Sequence, residues 1–249
     1  MGKDMPAVHK RMKDFYEGYW QHRINLHYIH TLDGMWIPER VHAVLRMIGT
    51  PAKPIKVLDV GCGEGTVGKM LKEKLRHNVS ITGLDISATA LQMAAAFYDQ
   101  VAEFDADADS LNQILDGEKF DYIIAMEMLE HLFNPRRALE QFKMALAEEG
   151  SLIASVPNMV HWRYRLQYLR GRLPGENTLY ELGEHLQNFT YFSFKKLIET
   201  IGYSIAEVDG HFQMPLGRLM PRSLFRFLGK TFPNLFAYQI VLKLRTRTN

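Results

Sequence analysis

The stretch Val57–Gly65, VLDVGCGEG, holds two carboxylates (Asp59 and Glu64), the chain's one thiol (Cys62) and three alternating glycines, Gly61, Gly63 and Gly65. A backbone without Cβ atoms can be approached closely by a ligand. A further acid, Asp85, closes the apolar run ITGLD twenty residues after Gly65. A carboxylate at that place can accept hydrogen bonds from both hydroxyls of a ribose. The third glycine comes one residue earlier than in the Gly-x-Gly-x-x-Gly loop of dinucleotide sites. Asp59 and Glu64 would repel a pyrophosphate but attract an ammonium and a sulfonium. The residues therefore favour a cationic adenosine cofactor, S-adenosylmethionine, over NAD.

The elements that must position these groups follow from periodicity. IKVLDVG, VSITGLDI, AEFDAD, FDYIIAMEML, SLIASVPN and SIAEVDG read as short buried strands. TVGKMLKEKL, SATALQMAAAFYDQ, NPRRALEQFKMALAEEG and SFKKLIETIGY read as the helices among them, with Ser87 as an N-cap and Gly150 and Gly202 as stops. The period-two run FAYQIVLKLR adds a terminal strand, with Tyr238, Ile240, Leu242 and Leu244 on one side. This alternation predicts an α/β fold with a doubly wound, mostly parallel seven-stranded sheet. Glu39–Gly49 reads as an amphipathic helix, and residues 1–50 as a helical N-terminal cap. Residues 51–249 form the main domain, with insertions at about 157–192 and 211–236.

The bulk composition agrees. With 249 residues, 47% of them hydrophobic, the chain can bury one sizeable core. The net charge of +2 excludes a polyelectrolyte role, although residues 211–249 carry seven Lys/Arg and no acid. A single cysteine excludes an internal disulfide framework. No signal pattern and no apolar run of spanning length is evident, so a cytoplasmic protein is the simplest expectation.

VLDVGCGEGTVGKML, ITGLDIS, FDADADSL and FDYIIAMEMLEHLFNPRRALEQFKMALAEEGSLIASVPN resemble the successive motifs of class I S-adenosylmethionine-dependent methyltransferases (type 11/23). The resemblance covers about Ile55 to Asn158. It implies that the backbone of Gly61–Gly65, with Cys62 as a small spacer, faces the methionine part of the cofactor. Asp59 would lie near its ammonium, Asp85 would bind the ribose and Ile86 would pack on the adenine. Asp105 would approach the adenine amine, Ala106 would add a backbone contact and Glu127 would line the floor. EHLQNFTYFSFKKLIETIGY is similar to the tail of many small-molecule and sugar methyltransferases. SVPNMVHWRYRLQYLRGRLP resembles MetW-type proteins, which leaves a rival reading as a partner protein with little catalysis of its own. An NAD-linked oxidoreductase is the second rival.

Methyl transfer is an in-line displacement at an activated carbon, so the protein must align the reactants and exclude water. No metal is required. A base is needed only where the acceptor loses a proton. His161 is the preferred candidate, because it opens a basic-aromatic stretch that could close over substrate. His131 follows by its family position, then His185, with Glu127 and Glu130 as further acceptors of a proton. Arg163 and Tyr164 are expected to bind substrate, which suits an anionic or sugar-linked small molecule. Tyr16, Tyr19 and Arg23 are expected over the cofactor's amino-acid end. His22, His27 and His30 are not spaced as a metal set on one helix. Arg218, Arg222, Arg226 and Lys230 recur every four residues; a solvated face packed on the sheet is favoured over a peripheral membrane contact. No nucleic-acid-reading module is present. The expected activity is O-methylation of a saccharide or related metabolite.

Overall fold

The computed structural model describes residues 5–25, 37–174, 185–215 and 219–247. In chain order the elements are α1 (Met5–Asn25), α2 (Glu39–Ile48), β1 (Ile55–Val60), α3 (Thr66–Leu75), β2 (Val79–Asp85) and α4 (Ala88–Ala94). They continue with β3 (Gln100–Glu103), α5 (Leu111–Ile114), β4 (Phe120–Met126), α6 (Pro135–Ala145), β5 (Leu146–Pro157) and α7 (Trp162–Tyr168). The last are α8 (Tyr191–Ile201), β6 (Tyr203–Phe212), α9 (Arg222–Thr231), α10 (Pro233–Phe236) and β7 (Ala237–Thr246). A 3-10 turn at Leu129–His131 follows β4.

The seven strands lie in the order β3-β2-β1-β4-β5-β7-β6. β1 through β5 are mutually parallel, and β7 runs antiparallel to both β5 and β6. The order reverses between β1 and β4, so a crevice opens beyond their carboxyl ends, where open α/β sheets bind ligands. Both faces of the sheet are covered, which is why its strands read as apolar runs. Leu58, Ile123, Leu152 and Leu242 belong to one core and Val57, Ile124, Ile153 and Val241 to the other.

Several expectations change in the structure. α2 buries Val41, Val44, Met47 and Ile48 in the second core, so this part of the N-terminal segment packs on the sheet. α6 ends at Ala145 rather than near Gly150, and β5 begins at once. A Cβ on Gly150 would meet the Phe120 carbonyl oxygen at 2.9 Å, so this glycine serves a close strand approach beside an irregular register, not a helix stop. α4 stops at Ala94, the first of three consecutive alanines. β7 pairs on both edges and is buried on both faces, with Ile240 and Leu242 in one core and Val241, equally buried, in the other.

In the insertion after β6, Pro221 and Pro233 stand at helix starts. Gly229 sits inside α9 because the Phe212 ring occupies the place of its Cβ. Arg226 Nη2 lies 2.8 Å from Asp209 Oδ2, and Lys230 Nζ lies 3.1 Å from Glu207 Oε1. These basic side chains are thus turned to acids of β6; Arg218 lies outside the described residues. No helix among the described residues is long and apolar enough to cross a membrane.

Candidate active site

The glycine loop leaves β1 with Gly61, Gly63 and Gly65 at φ +73°, +54° and +92°, a region costly for any residue with a Cβ. Gly61 N and Cys62 N both donate to the Leu84 carbonyl, at 2.7 and 3.0 Å, which fastens the loop to the end of β2. Gly63 N donates to Asp85 Oδ2 at 2.9 Å, and Ser87 N donates to Oδ1 at 3.0 Å. Ser87 in turn caps α4. The last residue of β2 therefore orients the loop and the start of the next helix together.

Asp59 is buried at the end of β1. The Tyr98 hydroxyl donates to its Oδ2 at 2.5 Å and accepts from Gly68 N at 3.1 Å. Burial pushes the Asp59 carboxyl up to about 7; the neighbouring Asp85 charge adds to this and the Tyr98 bond opposes it. Burial also drives the Cys62 thiol far above its ordinary range, so it is a spacer and no nucleophile.

These groups border a cavity of about 380 Å³. Of the residues expected at the cofactor, Asp59, Gly61, Cys62, Gly63, Asp85, Ile86, Asp105, Ala106 and Glu127 line it. Gly65 does not: it packs on α4, where a Cβ would come within 3.0 Å of Ala94 Cα. Tyr16, Tyr19 and Arg23 of α1 also line the cavity. Arg23 Nη2 is 3.5 Å from Glu64 Oε2, and its guanidinium lies over the Tyr19 and Trp20 rings. Glu17 anchors α1 by accepting from Ser87 Oγ, Ala88 N and Thr89 N at 3.0, 2.5 and 3.2 Å.

Glu127, just past β4, holds a positive φ of +51°. Its Oε1 accepts from Ser155 Oγ at 2.7 Å and its Oε2 from Gln239 Nε2 at 2.9 Å, so β5 and β7 fix it at the cavity floor. Burial raises its carboxyl above the usual range. His131 lines the same wall. Its ring meets Tyr16 edge-on at 5.9 Å and His185 at 5.0 Å. Backbone bonds bring His185 there: Leu186 N and Gln187 N donate to the Glu130 carbonyl at 2.8 and 2.9 Å.

His161, the base expected first, is fully buried elsewhere and does not line the cavity. Its Nε2 lies 3.3 Å from the Gln213 carbonyl, and Trp162, Tyr164 and Tyr238 surround the ring. Burial pulls it down to about 4, the Gln213 carbonyl acting against this. Arg163 and Tyr164 are likewise absent from the lining. The cause is α7, which is pinned away from the crevice: Trp162 Nε1 donates to Gln213 O at 2.8 Å and Arg165 Nη2 to Asn234 O at 3.2 Å.

Sequence reasoning missed Met12, Trp20, Arg40 and Asp107 in the lining. Trp20 stands four residues from Tyr16, a helical spacing that could have included it. Asp107 accepts from Phe133 N and Asn134 N at 2.9 and 2.8 Å, tying the loop after β3 to the loop after β4. Arg40 carries no pattern that would have marked it.

Residues 28–208 match the family described as methyltransferase domain, and the chain belongs to that family. An O-methyltransferase of ubiquinone biosynthesis from Glaesserella parasuis is 35% identical over 122 residues, which is 45% of this chain and 49% of that protein. Another of the same description, from Methylobacterium nodulans, is 25% identical over 177 residues, 67% of each. The chain thus spans about half to two thirds of the length of these curated relatives. In fold it is similar to a methyltransferase from Thermotoga maritima, described as a possible histamine N-methyltransferase, with TM-score 0.60, 16% identity and 94% and 98% of the two chains covered. An S-adenosylmethionine-dependent methyltransferase from Anabaena variabilis gives TM-score 0.59 at 17% identity, with 95% of each chain covered.

Proposed function

We propose that this protein transfers the methyl group of S-adenosylmethionine to a hydroxyl oxygen of a small molecule. The observation that carries the reading is the composition of one cavity. Bare backbone at Gly61–Gly63, the carboxylates of Asp59, Glu64, Asp85 and Asp105, and the side chain of Ile86 all line it. A cofactor with an ammonium and a sulfonium at one end and an adenosine at the other complements that layout. The Asp59 carboxylate, costly to ionise while buried, would gain its counter-charge from the ammonium. Asp85 would accept from the ribose hydroxyls and Ile86 would pack on the adenine.

Glu127 and His131 form the remaining wall, on which the acceptor would lie. Oxygen as the acceptor atom draws support from the two relatives described as O-methyltransferases. A saccharide or a related hydroxylated metabolite is the acceptor class supported by the likeness of EHLQNFTYFSFKKLIETIGY to small-molecule and sugar methyltransferases.

Calorimetric titration of wild type and Asp85→Asn with S-adenosylmethionine tests the site. The variant should bind more weakly by roughly tenfold or more, the value of a lost charge-assisted hydrogen-bond pair. Equal affinity in the two proteins would refute the ribose assignment.

A further inference from the structure

The carboxyl ends of β5 and β6 and the start of β7 lie on the crevice side of the sheet, because β7 runs antiparallel to both. Gln239 stands there, paired with Pro157 of β5 on one edge and with His211 of β6 on the other. Its Nε2 donates to Glu127 Oε2 at 2.9 Å, and Glu127 lines the cavity. Arg40, also in the lining, lies close enough for its charge to act on both Glu127 and His211. Gln239 and His211 therefore adjoin the acceptor wall, although neither lines the cofactor cavity itself.

Tyr238 stands beside them. Its ring centroid is 5.9 Å from that of His211 and 5.8 Å from that of His161, at interplanar angles of 72° and 89°. His161 is fully buried behind it, whereas Tyr238, His211 and Gln239 are each partly exposed. The backbone under the ring is fixed by Asn158, which is also fully buried. Asn158 N donates to Tyr238 O at 3.0 Å, and its Nδ2 donates to Ala237 O at 2.8 Å. On the other strand, Gln213 N donates to Phe236 O at 2.8 Å, and Gln213 Nε2 lies 3.5 Å from His211 Nε2. An aromatic ring, an amide and an imidazole are thus presented together on a rigid backbone.

The chemistry of this set selects a ligand. Gln239 gives Glu127 one of its two amide hydrogens and has an acceptor in Oε1. Burial holds the His211 imidazole below its usual range, so at neutral pH it is uncharged and offers one donor and one acceptor. An apolar ligand covering these groups would leave them unpaired, at about 1–3 kcal/mol each. A ring with adjacent hydroxyls would pair them, and its C–H face would pack on tyrosine.

We propose that Tyr238, His211 and Gln239 form an acceptor subsite beside Glu127 that takes a polyhydroxylated ring such as a monosaccharide unit. Its role rests on the methyl-transfer reading above. One hydroxyl of the ring would point past Glu127 into the cavity, toward the cofactor, while its neighbours reach Gln239 and His211.

Saturation-transfer difference NMR on the full chain, loaded with S-adenosylhomocysteine, tests the subsite without turnover. The probes are the methyl glycosides of glucose, galactose, mannose and rhamnose, with catechol as the non-sugar control. One or more glycosides should bind saturably, and roughly tenfold more weakly in Tyr238→Ala and in His211→Ala, the value of about one lost hydrogen bond or ring contact. S-adenosylhomocysteine should bind both variants within about twofold of wild type, because neither residue lines its cavity. His211→Ala keeps the test open should Tyr238→Ala fail to fold, since His211 is only half buried. No glycoside bound by the loaded wild type, or undiminished glycoside binding in both variants, would overturn the proposal. Binding of catechol and of no glycoside would overturn the choice of a polyhydroxylated ring. Failure of the wild type to bind S-adenosylhomocysteine, with glycoside binding intact, would count against the methyl-transfer reading and leave the subsite standing.

Discussion

At the scale of single residues, Asp59 links stability to ligand. Its carboxyl is held at about 7 by burial, so the unliganded protein carries a proton there below neutrality. The sign follows from linkage: with the folded value above the unfolded one, folding takes up a proton, and this group's contribution to stability falls as pH rises from about 4 to about 7. A cofactor ammonium acts in the opposite sense, since it favours the carboxylate. Binding at pH 6 must therefore expel a proton. Affinity for S-adenosylmethionine should rise by up to roughly tenfold per unit between pH 5 and 7 and then level off. Asp59→Asn should flatten that profile, and titrations in buffers of different ionisation enthalpy would read the released proton directly. An unchanged slope in the variant would remove Asp59 from the account. His161 gives the converse case. Buried between Trp162, Tyr164 and Tyr238, it has a packing role, so His161→Ala should lower stability by about 1–3 kcal/mol in a denaturant titration while leaving cofactor affinity within about twofold.

At the scale of elements, α1 acts as a cover. A Cβ on Gly63 would stand 2.9 Å from the Trp20 ring, so helix and loop fit only while position 63 is bare. Glu17 pins the same helix to the start of α4. Trp20→Ala should quicken cofactor release by roughly tenfold in a stopped-flow displacement, as expected when a cover is loosened. Release at the wild-type rate would mean that α1 does not retain the ligand. α9 makes a different point. Its Arg226 and Lys230 face Asp209 and Glu207, and burial of Asp209, which alone would raise its carboxyl, is outweighed by Arg46 and Arg226. Charges so engaged are poorly available to lipid headgroups. Co-sedimentation with liposomes should show no dependence on anionic lipid, and a clear dependence would restore the membrane reading.

At the scale of the whole molecule, the sheet was legible because parallel strands covered on both faces must be apolar and their helices must be amphipathic. The cofactor end was legible for a related reason. Gly61–Gly65 and Asp85 each lie at a strand's carboxyl end, where sequence position fixes spatial position. The opposite wall had no such rule. His185 lies more than fifty residues after His131, and it is brought there by backbone bonds from Leu186 and Gln187 to the Glu130 carbonyl, which no local pattern announces. His161 looked available because it opens a basic stretch, yet side-chain bonds from α7 to the Gln213 and Asn234 carbonyls turn that helix away. Gly150 resembled a helix stop because a glycine needed for close strand approach leaves the same letter in the sequence.

The central claim is that the crevice between β1, β2 and β4 holds a cationic adenosine cofactor. Calorimetry of the wild-type chain with S-adenosylhomocysteine and, in parallel, with NAD tests it most directly. The account predicts one saturable site for S-adenosylhomocysteine, in the micromolar range or tighter, at about −8 kcal/mol or below, and no saturable binding of NAD. Binding of NAD with equal or greater affinity, or no binding of S-adenosylhomocysteine, would contradict it.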